Sequence, residues 1–283
     1  MKIKFTNKEL DLSAPAIMGI VNVTPDSFYD GGKYATEEAL LQQCNSMIQE
    51  GADILDIGGY STRPQATAVS EEEELKRVIP AIQAIRKHFP KAIISVDTFR
   101  PKVATEAVST GADLINDISG GGFSSSEKDS FFQTIASLNV PYILMHIQGT
   151  PETMQQNPHY ENIMVELKIF FSEKIKKAKQ AGIKQIIIDP GFGFGKNLEH
   201  NYTILKELFK LKDFNLPILA GVSRKSMINK ITNNTPATAL NGTTIVNTIA
   251  LMNGADILRV HDVKEANEVI RLMGFFMNAQ AVE

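Results

Sequence analysis

The sequence predicts an α/β fold, a single (βα)8 or TIM barrel with a short N-terminal β-hairpin at residues 2–13. Three observations predict it. Eight short apolar runs alternate with longer amphipathic stretches along the whole chain, a pattern typical of βα units on a parallel sheet. A tripeptide recurs between the units, and no linker or low-complexity segment divides the chain. One domain over residues 1–283 is therefore expected.

The eight predicted strands are short and almost wholly apolar, as expected of strands buried on both faces. They occupy residues 16–21, 53–57, 93–96, 113–116, 141–145, 186–189, 217–221 and 256–260. Eight units without a break favour a closed barrel over an open, doubly wound sheet.

Two of the intervening segments have clear helical character. Residues 71–88 place apolar side chains at helical spacing, with Pro80 expected to kink the helix, and residues 160–181 predict a second long helix. The tripeptide Gly-Ala-Asp recurs at Gly51, Gly111 and Gly254. Each copy stands just before a predicted strand, where glycine fits the left-handed residue that ends a helix.

Composition excludes several classes of function. Lys and Arg total 29 against 32 for Asp and Glu, so the net charge of −3 leaves no basic surface for a nucleic acid. No apolar run approaches the roughly 18 residues of a membrane span, and the amino terminus has no signal-like apolar region, so a cytoplasmic location is expected. The single cysteine, Cys44, rules out an intrachain disulfide.

Polar residues stand at or just after the end of every predicted strand, where barrels of this kind build their active sites. They are Asn22, Asp56, Asp97, Asn116, His146, Asp189, Ser223 with Lys225, and Arg259 with His261. Buried charges need partners, so this set implies either internal pairing or a polar ligand. Convergence on one concave face favours the ligand.

Some of these residues also have structural explanations. Asp262, with Glu265 three residues later, fits the start of a helix. Ser223 fits either a helix N-cap or an anion ligand. Asp56 is interpreted mainly as an acceptor for loop amides. The polar residues that end the third, fourth and sixth strands have no helix to cap and are stronger candidates.

Familiar catalytic motifs are missing. The glycine-rich run at residues 191–196 has neither the Walker spacing nor the dinucleotide fingerprint. No Gly-x-Ser-x-Gly elbow is present, and the histidines have no metal-ligand spacing.

Two long loops, at residues 22–32 and 58–64, are rich in glycine and hydroxyl groups and can close over a ligand. Residues 223–226 place two cations and two hydroxyls at the start of a helix, and Arg259 and His261 follow one strand later. Barrels often bind phosphate in this quarter, so a phosphorylated small molecule is the ligand that the residues themselves predict.

Eight segments, in order, carry a resemblance to a known family. They are MGIVNVTPDSF (18–28), GGYSTRP (58–64), SVDT (95–98), IND (115–117), MHIQG (145–149), DPGFGFGK (189–196), GVSRKS (221–226) and RVHDV (259–263). Together they resemble the dihydropteroate synthase family of pterin-binding TIM barrels, the folate-pathway enzymes that sulfonamides inhibit. The resemblance covers essentially the whole chain, so the single domain is expected to bind a pterin.

The resemblance implies a transferase that joins (7,8-dihydropterin-6-yl)methyl diphosphate to 4-aminobenzoate and releases diphosphate. The residues that it implies for catalysis are Asp97, Lys225 and Arg63. Those implied for the pterin are Asp97, Asn116, Met145, Asp189, Lys225 and Arg259. Those implied for the diphosphate are Asn22, Arg63, Arg259 and His261, with Asn22 acting through Mg²⁺. Those implied for 4-aminobenzoate are Phe28, Thr62, Pro64 and Ser226. A homodimer that uses the helix near residues 241–251 is also implied.

Two other functions remain open from the sequence. A methyltransferase domain acting on methyltetrahydrofolate would hold the pterin with a similar set of acids and amides, but would not need the two long loops or the cations at 223–226. A non-catalytic pterin-binding paralogue would keep the pocket without turnover. Every expected acid, amide and cation is present, which favours the enzyme.

Overall fold

The computed structural model describes residues 1–23, 32–60, 69–123 and 131–279. Its first two strands, β1 (Lys2–Lys4) and β2 (Glu9–Asp11), pair antiparallel as the predicted hairpin. Eight further strands form a parallel sheet in the order β8-β7-β6-β5-β4-β3-β10-β9. A parallel bridge between Ile188 and Ile218 joins the two ends of this order, so the sheet closes into the predicted barrel.

The barrel strands agree closely with the sequence prediction. They are β3 (Ala16–Asn22), β4 (Ile54–Gly58), β5 (Ile93–Asp97), β6 (Leu114–Asp117), β7 (Tyr142–Met145), β8 (Ile186–Asp189), β9 (Leu219–Ala220) and β10 (Ile257–Val260). Each lies within one residue of its predicted bounds except β9, which is only two residues long.

Helices follow the strands around the outside of the barrel. In the described ranges they are α1 (Gly32–Glu50), α2 (Glu71–His88), α3 (Pro101–Thr110), α4 (Phe131–Leu138), α5 (Ile163–Ala181), α6 (Leu198–Glu207), α7 (Ser226–Thr232), α8 (Leu240–Met252) and α9 (Val263–Asn278). Short 3-10 helices span Leu208–Phe214 and Pro236–Thr238. None of these described helices has the length and apolarity that crossing a membrane requires.

The sequence predicted the bounds of two long helices; the structure confirms one set of bounds and corrects the other. Helix α2 has the predicted bounds, contains Pro80, and begins where the Ser70 hydroxyl accepts from the Glu73 amide at 3.2 Å. The start predicted at residue 160 was wrong by three residues. Asn162 caps α5 by accepting from the Val165 amide at 3.2 Å, so the helix begins at Ile163.

The three Gly-Ala-Asp joints have the predicted conformation and add a hydrogen bond that the sequence did not reveal. Their glycines have φ values of +107°, +122° and +95°. Each aspartate accepts a backbone N–H at the start of the neighbouring strand: Ile17 to Asp53 at 2.8 Å, Ile94 to Asp113 at 2.9 Å and Ile218 to Asp256 at 2.8 Å. The joints therefore fasten adjacent strands at the amino-terminal end of the barrel.

The same end of the barrel is closed by apolar side chains. Ile3, Leu10 and Leu12 of the hairpin region pack against inward-facing residues near the starts of the strands. These barrel residues are Ala16, Met18, Ile54, Ile93, Leu114, Ile143, Ile187, Leu219 and Ile257. The hairpin thus covers the bottom of the barrel, as predicted, and leaves the opposite end for a site.

Candidate active site

A polar layer lies directly above the apolar floor. Successive side chains on a strand alternate between faces, so the residue two positions beyond each floor residue also points into the barrel. On β4, β6, β8 and β10 these residues are Asp56, Asn116, Asp189 and Arg259. On β7 and just after β9 they are Met145 and Gly221. On β5 the pattern gives Ser95 and then Asp97.

Arg259 connects the acids of this layer. Its Nε donates to Asp56 Oδ2 at 2.7 Å and its Nη2 donates to Asp97 Oδ2 at 2.7 Å. Asn116 Nδ2 donates to the same Asp56 oxygen at 3.1 Å. The predicted residues Asp97, Asn116 and Arg259 therefore form, with Asp56, one polar cluster at the carboxyl end of the barrel, which we call the cup.

The charged side chains of the cup are largely removed from water, which disfavours their charged forms. Burial raises the pKa of Asp97 to about 7, against the opposing effect of the Arg259 cation and with a contribution from Asp56. Asp56 is fully buried, and its Oδ1 has no hydrogen-bond partner among the described residues. The other carboxylate oxygen of Asp56, Oδ2, accepts from both Asn116 and Arg259, so Asp56 orients these two side chains.

A second part of the cup is formed by the ends of β7 and β8 and the start of α7. Met145 and Asp189 are buried and pair in register across these two strands. Asp189 Oδ1 accepts from the Gly191 amide at 2.7 Å, and burial raises the pKa of this carboxyl. Lys225 immediately precedes α7, and the exposed Ser226 begins it.

Lys225 lies between the loop after β8 and the acids. Its Nζ donates to the Phe192 carbonyl oxygen and lies 4.8 Å from the centre of the Phe194 ring. Burial lowers the pKa of Lys225 to about 8, while Asp189 works in the opposite direction. Lys225 and Asp189 therefore act as an electrostatically linked pair at one side of the cup.

The predicted diphosphate residues within the described ranges lie at the rim. Asn22 ends β3 and pairs in register with Gly58 of β4, next to the end of β5. His261 follows β10; its backbone N–H donates to Ser223 Oγ at 3.2 Å, and its Nδ1 lies 3.0 Å from the same oxygen. The predictions for Phe28, Thr62, Arg63 and Pro64 concern residues outside the described ranges.

The predicted helix start at Asp262 is confirmed, but two side chains bind other partners than a helix cap would. Asp262 immediately precedes α9, but its carboxylate makes no capping hydrogen bond. It instead binds the Arg224 guanidinium through contacts of 2.6 and 2.9 Å. Ser223 is not a helix N-cap either, because α7 begins three residues later and the Ser223 hydroxyl contacts His261.

Sequence reasoning undervalued Asp56 and missed Phe194. Asp56 was assigned to loop amides, although it is the acid that joins Asn116 to Arg259. Alternation along β4, counted from Ile54 on the floor, would have identified it. Phe194 was not singled out because its glycine-rich segment fails as a phosphate loop. No sequence signal places its ring beside the Lys225 ammonium.

Comparisons with known proteins show which family this chain resembles over its whole length. A model of the family described as "Pterin binding enzyme" matches residues 18–261. The Escherichia coli (strain K12) protein "Dihydropteroate synthase" is 46% identical over 282 residues, which cover 99% of this chain and 98% of the relative. The crystal structure of Yersinia pestis dihydropteroate synthase with a sulfonamide drug has a TM-score of 0.91 and 43% identity, covering 99% and 100% of the two chains. Xanthomonas albilineans dihydropteroate synthase with 4-aminobenzoic acid has a TM-score of 0.89 and 40% identity, covering 99% of each chain.

The floor, the cup and these similarities define a barrel enzyme that acts on a pterin, and the chain belongs to the pterin-binding enzyme family. The relatives that match it over nearly their whole length share one activity, that of dihydropteroate synthase.

Proposed function

We infer that this chain is a transferase with dihydropteroate synthase activity, which condenses (7,8-dihydropterin-6-yl)methyl diphosphate with 4-aminobenzoate to form 7,8-dihydropteroate and diphosphate. The observation that carries this inference within the chain is the cup, where Arg259 connects Asp56 and Asp97 above an apolar floor. Buried acids and amides in this arrangement suit a flat heterocycle with many N–H donors.

The pterin is proposed to lie over the polar layer. Asp189 and Asn116 accept from and donate to its aminopyrimidinone edge, and Lys225 donates to its ring oxygen and a ring nitrogen. Arg259 offers a planar cation to the ring face, and Met145 provides polarisable packing. Asp56 supports the same placement indirectly, because it accepts from Asn116 and Arg259 and so orients both side chains.

Asp97 is proposed to stabilise the reacting carbon. The exocyclic C–O bond breaks first, the diphosphate leaves with the bonding electrons, and the methylene carbon becomes a cation. A fixed carboxylate beside developing positive charge lowers the barrier because it needs no reorganisation during the step. The amine of 4-aminobenzoate then forms the C–N bond and loses a proton.

The diphosphate is proposed to lie at the rim near Asn22 and His261, with Arg63 and Arg259 contributing positive charge. In the described ranges no group of three or more acidic, histidine or cysteine side chains could hold a metal by itself. A single amide oxygen from Asn22, completed by phosphate oxygens and water, fits the coordination habit of Mg²⁺. The ion would supply charge neutralisation for the leaving diphosphate.

The proposed magnesium requirement can be tested by removing the ion and restoring it. Removing divalent cations with a chelator is expected to lower turnover severalfold or more, and adding Mg²⁺ to restore it, because a diphosphate leaving group develops negative charge. Turnover that is indifferent to chelation and to added Mg²⁺ would contradict this proposal.

The 4-aminobenzoate is proposed to lie beside Lys225 and Ser226, with Phe194 bordering it. Phe28, Thr62 and Pro64 are proposed to complete this pocket from the two long loops. The ammonium of Lys225 and the hydroxyl of Ser226 are suited to the benzoate carboxylate. The ring of Phe194, already in contact with Lys225, is suited to the flat face of the benzoate.

One assay separates this function from its alternatives. Purified protein given the pterin diphosphate and 4-aminobenzoate should form 7,8-dihydropteroate and release one diphosphate per product. Pterin binding without product would favour a non-catalytic paralogue. Transfer of a methyl group from methyltetrahydrofolate to a corrinoid would favour the methyltransferase.

A homodimer is proposed from the surface of α8 and α9, two helices that pack against each other. Large apolar side chains on them are exposed, namely Ile245, Met252, Leu272, Phe275, Phe276 and Met277. Apolar side chains clustered on one surface are typical of a protein interface, and a second copy of this chain is the proposed partner.

Phe275→Glu is expected to convert the dimer to a monomer of 31.2 kDa, measured by light scattering after size exclusion. Burying an unpaired carboxylate in the interface is costly, because the charge loses its hydration. Phe209→Glu is the matched control, since Phe209 is exposed on a different helix. A wild-type protein that is already monomeric at micromolar concentration would contradict the proposal.

A further inference from the structure

Lys196 is a buried amine for which neither the cup nor the proposed chemistry has a use. It is 3% exposed and stands at the end of the glycine-rich loop, residues 190–196, that follows β8. A lysine of this kind is unusual because burial strongly disfavours its charge, and its pKa is indeed held well below the ordinary value. Its contacts therefore indicate what it does.

The Lys196 amine joins two loops of the barrel mouth. Its Nζ donates to the Phe194 carbonyl oxygen at 2.8 Å and lies 2.9 Å from Nδ1 of His146, which follows β7. A longer contact of 3.4 Å reaches the His146 carbonyl oxygen. His146 is 6% exposed, and burial together with Lys196 keeps its pKa well below the ordinary value, so the imidazole is neutral.

The two loops are pressed together around this contact. Gly191 and Gly195 have φ values of +69° and +63°, and a Cβ on them would lie 2.0 Å from the His146 carbonyl oxygen and 2.6 Å from the Gln148 carbonyl oxygen. Tyr160 donates from its hydroxyl to the Gly195 carbonyl oxygen at 2.8 Å. The backbone of residues 190–196 thus has little freedom while Lys196 is in place.

The other side of the same loop faces the cup. The Phe192 carbonyl oxygen accepts from Lys225 Nζ, and the Phe194 ring lies 4.8 Å from that nitrogen. Lys196 binds the carbonyl oxygen of Phe194 itself. One residue therefore connects the buried amine to the ring that borders the proposed 4-aminobenzoate pocket.

We propose that Lys196 is a positioning residue: with His146 beside it, its amine holds the Phe194 carbonyl, and so fixes the Phe194 ring at the place where the aromatic amine binds. The proposal rests on the proposed function, because it takes 4-aminobenzoate as the molecule that enters there. Displacements of about 1 Å at such a contact are enough to change catalytic efficiency by one to two orders of magnitude.

Lys196→Met removes the amine and keeps the length of the side chain. The KM for 4-aminobenzoate is expected to rise about tenfold, while the pterin dissociation constant, measured by calorimetry, changes less than about threefold. The smaller effect on the pterin follows from the contacts proposed for it on β5, β6 and β10, which Lys196 does not touch. Lys206→Met on the exposed face of α6 is the matched control and should leave both values unchanged.

A double variant separates positioning from stability. In Lys196→Met with His146→Leu, both polar partners become apolar, so the unfolding temperature should recover relative to Lys196→Met alone. The raised KM for 4-aminobenzoate should persist, because the Phe194 carbonyl still lacks its donor. Recovery of KM together with the unfolding temperature would overturn the proposal, as would an unchanged KM in the single variant. Absence of turnover in the wild-type protein would instead count against the proposed function.

Discussion

Asp97→Asn is expected to lower kcat by about 10²- to 10³-fold, while the pterin dissociation constant changes by less than about tenfold. The substitution keeps the shape of the side chain and the hydrogen-bonding position beside Arg259, but removes the negative charge that faces the methylene cation. Steady-state kinetics with both substrates, and calorimetry with a pterin that lacks the diphosphate, measure the two quantities separately.

The matched control is Asp213→Asn, which neutralises an exposed aspartate that pairs with Lys168 at the surface. It should leave kcat and pterin affinity unchanged, because an exposed ion pair contributes little. If Asp97→Asn lost pterin affinity and turnover to the same extent, Asp97 would be a ligand anchor and not the stabiliser of the cation.

The pH dependence follows from the same residue. Because burial raises the pKa of Asp97 to about 7, the carboxyl becomes protonated as the pH falls through neutrality, and the stabilising charge is lost. The value of kcat/KM, which reports the free enzyme, should therefore fall about tenfold per pH unit below that pKa. In Asp97→Asn this acid limb should disappear and leave a low, flatter profile.

Lys225→Ala is the second large effect: the pterin should bind at least about 30-fold more weakly, equivalent to about 2 kcal/mol or more. The substitution removes a donor to the pterin and leaves the buried Asp189 without its cation, so part of the loss is the cost of an uncompensated charge. Calorimetric titration with the pterin measures it directly.

Lys230→Ala provides the comparison, since Lys230 is exposed on the same short helix that Lys225 precedes. It should preserve pterin affinity. Lys225→Met adds a second comparison, because it retains the alkyl stem and loses only the ammonium. Pterin affinity that survives Lys225→Ala would show that the contact between this lysine and the pterin does not exist.

Most of the fold could be predicted because the signals are local. Apolar runs between amphipathic segments define βα units, and a glycine before each Asp of the joints marks a helix end. The shortness of β9 could not be predicted, because Pro217, Ile218 and Gly221 are as apolar as a strand requires. In the fold, β9 pairs with β10 over Leu219 and Ala220, and it approaches β8 through an isolated bridge at Ile218.

The site was harder because the direction of a side chain depends on register. Asn116 and Asp117 are adjacent and both polar, yet only Asn116 enters the cup. Asp117 points away and accepts from the Tyr142 hydroxyl and the Gly121 amide. Asp56 was undervalued for a related reason, since its partner Arg259 is 203 positions away. Local sequence carries no information about such a partner.

The partner of the Asp262 side chain could not be predicted for the same reason, at shorter range along the chain. An acid that precedes a helix usually binds the free amides of the first turn, and the sequence offers no reason to prefer another partner. In the folded chain the Arg224 guanidinium lies close enough to bind both carboxylate oxygens. A bidentate ion pair then replaces the cap.

The Gly-Ala-Asp joints keep the side chains that stabilise the barrel apart from the side chains that form the site. Their carboxylates bind strand amides at the closed end of the barrel, where no substrate reaches them. These hydrogen bonds hold adjacent strands together at the end of the barrel opposite the cup. A substitution in the cup can therefore change its chemistry without removing these hydrogen bonds.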